Sequence, residues 1–188
     1  MDLAILHMIH TLSVVPLLNS VMVGFTSLGE YGAVWLALAV MLIFTKKYRA
    51  WGICLVAAVG LTWVLGDVVL KPLVARPRPF MVDSSIALII APPSGFSFPS
   101  GHSGASFAAA TIFFLSPARR LAKVAVAILA IIIAFSRLYL FVHNPTDVLA
   151  GAFLGIVCAC VVVAAYRHLN SMAESRGWRI PSFFDEQV

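Results

Sequence analysis

Apolar runs close to twenty residues long recur along this chain, and that recurrence constrains its fold more than any single motif. Six stretches can be marked, at about 3–27, 31–45, 50–70, 101–116, 121–141 and 146–166. A helix needs roughly 20 apolar residues to cross bilayer hydrocarbon, where the backbone must satisfy its own hydrogen bonds. With 61% hydrophobic residues, 11% charged residues and a mean hydropathy of +0.98, the chain is too apolar for an ordinary soluble domain. The expected fold is all-α, a polytopic membrane bundle of about six helices. Residues 3–27 contain Pro16 along with His7, His10, Asn19 and Ser20, so this stretch is expected as a kinked span or as two short interfacial helices.

One domain over residues 1–170 and a short polar cytoplasmic tail over 171–188 account for the chain, with no internal repeat or linker. The start at Met1-Asp2 lacks a basic region and a small-residue cleavage site, which argues for a retained first helix. Cys54, Cys158 and Cys160 all fall in apolar stretches, where cysteine acts as a small hydrophobe. Two helical positions two residues apart point roughly 200° away from each other, so the Cys158/Cys160 pair is a poor metal site.

The net charge of +5 is better explained by sidedness than by a nucleic-acid partner. Lys46, Lys47 and Arg49 form one loop, Arg119, Arg120 and Lys123 another, and Arg167, Arg176 and Arg179 belong to the C-terminal end. Alternating spans put all three groups on one side, which the positive-inside rule makes cytoplasmic. The remaining cations, Lys71, Arg76, Arg78 and Arg137, fall on the opposite, extracytoplasmic side. Positive charge that topology does not call for, gathered at one end of a bundle, points to an anion site.

Three blocks hold the polar residues of that end: Lys71 with Arg78-Pro79, then Pro99-Ser100-Gly101-His102, then Ser136-Arg137 with His143 and Asp147. Arginine holds phosphate through two parallel hydrogen bonds and lysine through a compact charge, although both also anchor helix ends by snorkelling. Arg76-Pro77 repeats the Arg-Pro pattern two residues early, and the residues of this block alone leave both registers open. Ser100 and Gly101 place a hydroxyl and free N–H groups at a helix start, as an anion cradle or simply as an N-cap and a turn. His102 beside them is suited to proton transfer near neutral pH. Asn144-Pro145-Thr146-Asp147 reads as a helix start, with His143 just outside it. Asp147 then either complements the helix dipole or holds one imidazole nitrogen of His143 and leaves the other as a nucleophile. Two histidines, one carboxylate and several cations suit phosphoryl transfer, with one histidine attacking phosphorus and the other protonating the leaving oxygen. The acidic residues Asp2, Glu30, Asp67 and Asp83 are scattered, with no spacing for a two-metal site, and no metal or cofactor is expected.

In order and spacing, the three blocks resemble the three-part signature of the type 2 phosphatidic acid phosphatase superfamily, over roughly residues 25–165. An apolar polytopic chain is similar to its integral membrane branch, which dephosphorylates lipid phosphates and pyrophosphates without metal. The resemblance implies that His143 is a nucleophile forming a phosphohistidine, that Asp147 orients it, and that His102 is the general acid. It implies phosphate binding by Lys71, Arg78, Arg137, Ser100 and the Gly101 N–H, and selects Arg78 over Arg76. The turn Leu28-Gly29-Glu30-Tyr31-Gly32 resembles that of compact bacterial undecaprenyl pyrophosphate phosphatases. An outward-facing site in a bacterial cytoplasmic membrane suits such a carrier lipid, while phosphatidylglycerophosphate and phosphatidic acid are alternative substrates. A non-catalytic lipid-phosphate binder or translocator would need only the cations. A channel or transporter would place charge in mid-span, where only Asp67 lies.

Overall fold

A computed structural model describes residues 2–176, and every regular element among them is helical. The first stretch is two helices, α1 (Asp2–His10) and α2 (Pro16–Leu28), separated by a 3₁₀ turn and bent by 118°. Proline forces the residue before it out of the helical region, and Val15 is accordingly extended at φ −98°, ψ 105°. The break that both expected paths for residues 3–27 place near Pro16 is thus present.

After a tight turn, α3 (Ala33–Phe44) leads into α4 (Arg49–Trp63), which continues through a π-helical stretch, Val64–Leu70, into α5 (Lys71–Val74). A single turn, α6 (Pro79–Val82), interrupts the long loop before α7 (Gly101–Leu115), α8 (Arg120–Tyr139) and α9 (Pro145–Ser175). Three helical segments are long and apolar enough to cross a membrane: Lys46–Val82, Arg120–Tyr139 and Pro145–Ser175. The bent first pair, counted as one span, makes four. Of the other expected spans, Glu30–Phe44 is shorter, and α7, with 15 residues, is only about 22 Å long against roughly 30 Å of hydrocarbon. The last helix runs on to Ser175, five residues into the stretch expected as a tail, while Arg179 and residues 177–188 lie outside the described residues.

The short α7 is the bundle's central post, packed against α9, α8 and α4. Its inner face is small: Ser103, Gly104, Ala105, Ser106, Ala108 and Ala109 are all buried. Gly151 and Gly155 of α9 meet it so closely that a Cβ would lie 2.3 Å from the Ser100 carbonyl oxygen and 2.1 Å from that of Gly104. Small residues four apart let two helix backbones touch, the usual means of tight association in lipid. Because 100 pairs with 151 and 104 with 155, α7 and α9 run parallel and start at the same end. The Ser100 N–H bonds the Asp147 carbonyl at 3.0 Å, which locks the two starts together. Above this post, Trp35 of α3 donates to Ser106 at 3.0 Å within the apolar core. Large apolar side chains such as Leu121, Ile131, Leu149 and Phe153 face outward from α8 and α9, the surface expected of helices in contact with lipid.

Candidate active site

The turn from Leu140 to Asn144 places His143 between the end of α8 and the start of α9, and its N–H bonds the Arg137 carbonyl at 3.3 Å. Asn144 caps α9 in a full capping box: the Asp147 carboxylate accepts the Asn144 N–H at 2.7 Å while Asn144 receives the N3 backbone. The same Asp147 oxygen lies 3.8 Å from His143 Nδ1, an ion-pair distance rather than a hydrogen bond. Ser97 stands between them, 3.5 Å from His143 Nδ1 and donating to Asp147 at 2.5 Å. The direct histidine–aspartate bond expected from the sequence is thus a bridge through a serine whose hydroxyl nothing in the spacing singled out. Its one signal is its position, three residues ahead of Ser100 and just outside the Pro99–His102 block.

Arg76 and Arg78 part company here. Each precedes a proline, which favours extended backbone, and Ala75 ahead of them turns left-handed at φ 50°, yet the two guanidinium groups meet different partners. Arg78 reaches the site: its guanidinium is held by the carbonyls of Gly95, Ser94 and Val142 at 3.0, 3.0 and 3.1 Å, and Nη1 lies 3.3 Å from His143 Nε2. Arginine only donates, so Nε2 must accept and the neutral imidazole carries its proton on Nδ1, toward Ser97. Arg76 instead approaches Asp147 from behind, donating to Oδ1 at 2.7 Å. Burial pushes the His143 imidazole well below its ordinary value, to about 3, with Asp147 opposing and the Arg137 and Arg78 charges reinforcing the shift. The ring is therefore neutral at pH 7, with the Nε2 lone pair available.

His102 is held from the opposite direction. Its Nε2 lies 3.2 Å from the Thr26 carbonyl, so Nε2 carries a proton and Nδ1 is the nitrogen left for other work. Thr26 also accepts a hydrogen bond from Arg137 Nη1 at 2.5 Å, while Arg137 Nε is buried without a partner. An orphaned arginine donor is costly unless something anionic arrives to meet it. Gly29 allows the close approach of α2: a Cβ there would lie 2.7 Å from the His102 ring and 2.8 Å from Ile133. Lys71 is paired with Asp67 one turn earlier, at the end of the π-helical stretch, and Asp67 lies against Gly101, where a Cβ would be 3.0 Å from its carboxylate. Ser100 caps α7, its hydroxyl accepting from Ser103 Oγ at 3.0 Å and from Ser103 N at 3.4 Å.

A cavity of about 740 Å³ gathers these groups. Lys71, Arg78, Gly101, His102, Arg137 and His143 line one part of it, with Asp67 and Glu30, whereas Leu36, Val56, Val59, Gly60, Trp63 and Ala105 form an apolar wall between α3, α4 and α7. Ser100 and Asp147 lie behind this lining, both buried. Among the described residues, no group of three or more His, Cys, Asp or Glu side chains is placed to hold a metal ion.

Residues 49–171 match the family model of the PAP2 superfamily. The undecaprenyl-diphosphatase of Sulfolobus acidocaldarius is 36% identical over 140 residues, covering 73% of this chain and 66% of that relative, just under two thirds of its length. Aquifex aeolicus LpxE has a similar crystal structure, with a TM-score of 0.74 at 29% identity over 87% of this chain and 94% of its own. A transmembrane PAP2-type phosphatidylglycerolphosphate phosphatase from Bacillus subtilis follows with a TM-score of 0.71 at 30% identity, covering 89% and 85% of the two chains. The chain is an all-helical, integral membrane member of the PAP2 superfamily.

Proposed function

We propose that this protein is a membrane phosphatase that removes the terminal phosphate of a polyprenyl pyrophosphate of the undecaprenyl class, through a phosphohistidine on His143 and without a metal. The observation that carries this reading is the two-part cavity, cationic with two histidines in one part and apolar in the other, which suits a phosphorylated headgroup on a hydrocarbon chain. A pyrophosphate is favoured by the named activity of the Sulfolobus acidocaldarius relative. The similarity to a phosphatidylglycerolphosphate phosphatase supports a second substrate class, a phosphomonoester on a glycerolipid.

In the proposed reaction, His143 Nε2 attacks the terminal phosphorus while Lys71, Arg78, Arg137 and the Gly101 N–H hold its oxygens, with Ser100 shaping the helix start beneath. The bond to the bridging oxygen breaks, and His102, protonated at Nδ1 as the anionic headgroup enters the cavity, gives that oxygen the proton, releasing the lipid monophosphate. Water then attacks the phosphohistidine, His102 takes its proton, and the nitrogen–phosphorus bond breaks to release inorganic phosphate. Asp147 and Ser97 hold the Nδ1 side as charge builds on the imidazole. The cations at the ends of α3, α7 and α9, opposite the cavity, support a site facing out of a bacterial cytoplasmic membrane.

The test is phosphate release from purified undecaprenyl pyrophosphate, phosphatidylglycerophosphate and phosphatidic acid in detergent with EDTA. Release should be fastest from the pyrophosphate and should fall by at least roughly a thousandfold in His143→Ala. Equal release by His143→Ala rejects the nucleophile, strict dependence on a divalent ion rejects the metal-free route, and preference for either glycerolipid reassigns the substrate.

A further inference from the structure

Among the described residues, Arg76 is the one Lys or Arg side chain of this end that does not line the cavity, yet both its terminal guanidinium nitrogens are bound. One guanidinium nitrogen, Nη1, donates to Asp147 Oδ1 at 2.7 Å and to Thr146 Oγ1 at 2.6 Å, and Nη2 donates to Asp2 Oδ2 at 2.9 Å. Thr146 in turn donates to Asp2 at 2.6 Å, closing the ring. The Arg76 backbone takes part as well, because its carbonyl accepts the Ser97 N–H at 2.8 Å. One residue therefore grips both groups behind His143: the Asp147 carboxylate through its side chain, and the serine that bridges that carboxylate to the imidazole through its main chain.

We propose that Arg76 is a positioning residue for the His143–Ser97–Asp147 relay, setting the orientation of the carboxylate and holding back its negative charge from the imidazole. This rests on the phosphatase reading above. Asp147 is completely buried, and a buried carboxylate facing only a histidine would draw a proton onto that ring. Arg76 balances Asp147 from the side away from the cavity, so His143 keeps a free lone pair. The other charged or titratable groups facing His143 are Arg78, Arg137 and, across the cavity, His102, Lys71, Asp67 and Glu30. Arg76 meets Asp147 on the side away from the cavity, so a change at Arg76 reaches the imidazole through that carboxylate and is read in the acid limb.

Two variants separate charge from geometry. In Arg76→Gln, kcat should fall on the order of 10- to 100-fold with little change in KM, and the acid limb of kcat/KM should rise by about one pH unit. In Arg76→Lys, the charge remains but the fork is lost, so kcat should fall while the acid limb stays at its wild-type position. Both are measured as full-length protein in detergent against the best lipid of the panel, with circular dichroism and elution volume compared to wild type. A wild-type kcat and acid limb in Arg76→Gln overturns the proposal. If Arg76→Gln does not fold, an unchanged kcat in Arg76→Lys overturns it. Wild-type protein that releases no phosphate from any lipid is a different outcome, which rejects the phosphatase reading itself.

Discussion

The two histidines of the cavity are held in contrasting ways. His143 sits inside a closed polar network, with Ser97, Asp147 and Arg76 on one side of the ring and Arg78 on the other. All of these residues lie within the 49–171 stretch that matches the family. His102 rests on a single carbonyl, that of Thr26, and the same threonine steadies Arg137. Thr26 and Gly29 belong to the end of α2 and the turn after it, outside the matched stretch. The surroundings of His143, the proposed nucleophile, thus come mostly from the matched stretch, with Asp2 of α1 closing the ring at Arg76, whereas His102, the proposed acid, leans on α2 outside it. A buried network is rigid because each lost bond leaves an unpaired group, whereas a single contact across two elements shifts with their packing. The first arrangement suits a step common to many substrates, and the second a step that must fit one leaving group.

The largest effect should separate the two histidines by leaving group. In single-turnover phosphorylation of the enzyme, before water takes part, His102→Ala should cost roughly 10²- to 10⁴-fold on the lipid substrate but far less on an aryl phosphate, whose phenolate leaves without a proton. Equal losses on both substrates would break the assignment of His102 to proton transfer. Next comes Gly29→Ala, whose added Cβ must displace the His102 ring or Ile133. It should lower kcat on the lipid on the order of tenfold and again spare the aryl phosphate; a matching loss on both would instead mean that the cavity as a whole has shifted. A change of similar size, in KM rather than kcat, is expected of Thr26→Val, which removes the hydroxyl from Arg137 and keeps the carbonyl for His102. Losing a hydrogen bond to a charged group should raise KM roughly tenfold, with Thr26→Ser restoring it. An unchanged KM in Thr26→Val would show that Arg137 needs no support from α2.

Much of the site was legible because its local signals are chemical. Asn144, Pro145 and Asp147 announce a helix start, and a capping box follows from their spacing regardless of the rest of the chain. Cations placed against the orientation rule marked one end of the bundle, and Lys71, Arg78 and Arg137 do converge on one cavity. The resemblance chose Arg78 over Arg76, and Arg78 is the one beside His143. Other assignments depended on distances that no spacing encodes. Ser97 separates His143 from Asp147, the Ser100 hydroxyl accepts from Ser103 where it caps α7, and Thr26 reaches His102 from 76 residues away in sequence. Hydropathy marked α7 only as an apolar stretch, whereas its buried small residues make it the post around which the longer helices pack.

By itself, the sequence determined that the chain is helical and made for lipid, where its helices start, and which residue types bring phosphoryl chemistry to one end. Those are consequences of composition, local backbone preference and charge, which act over one turn or one span. The tertiary structure decided which face each charge presents, which arginine meets the imidazole and which one stands behind it. Such choices turn on ångström-scale contacts between α7 and α9 at Gly151 and Gly155, and on the angle at which α2 crosses α8, because packing between distant segments sets them.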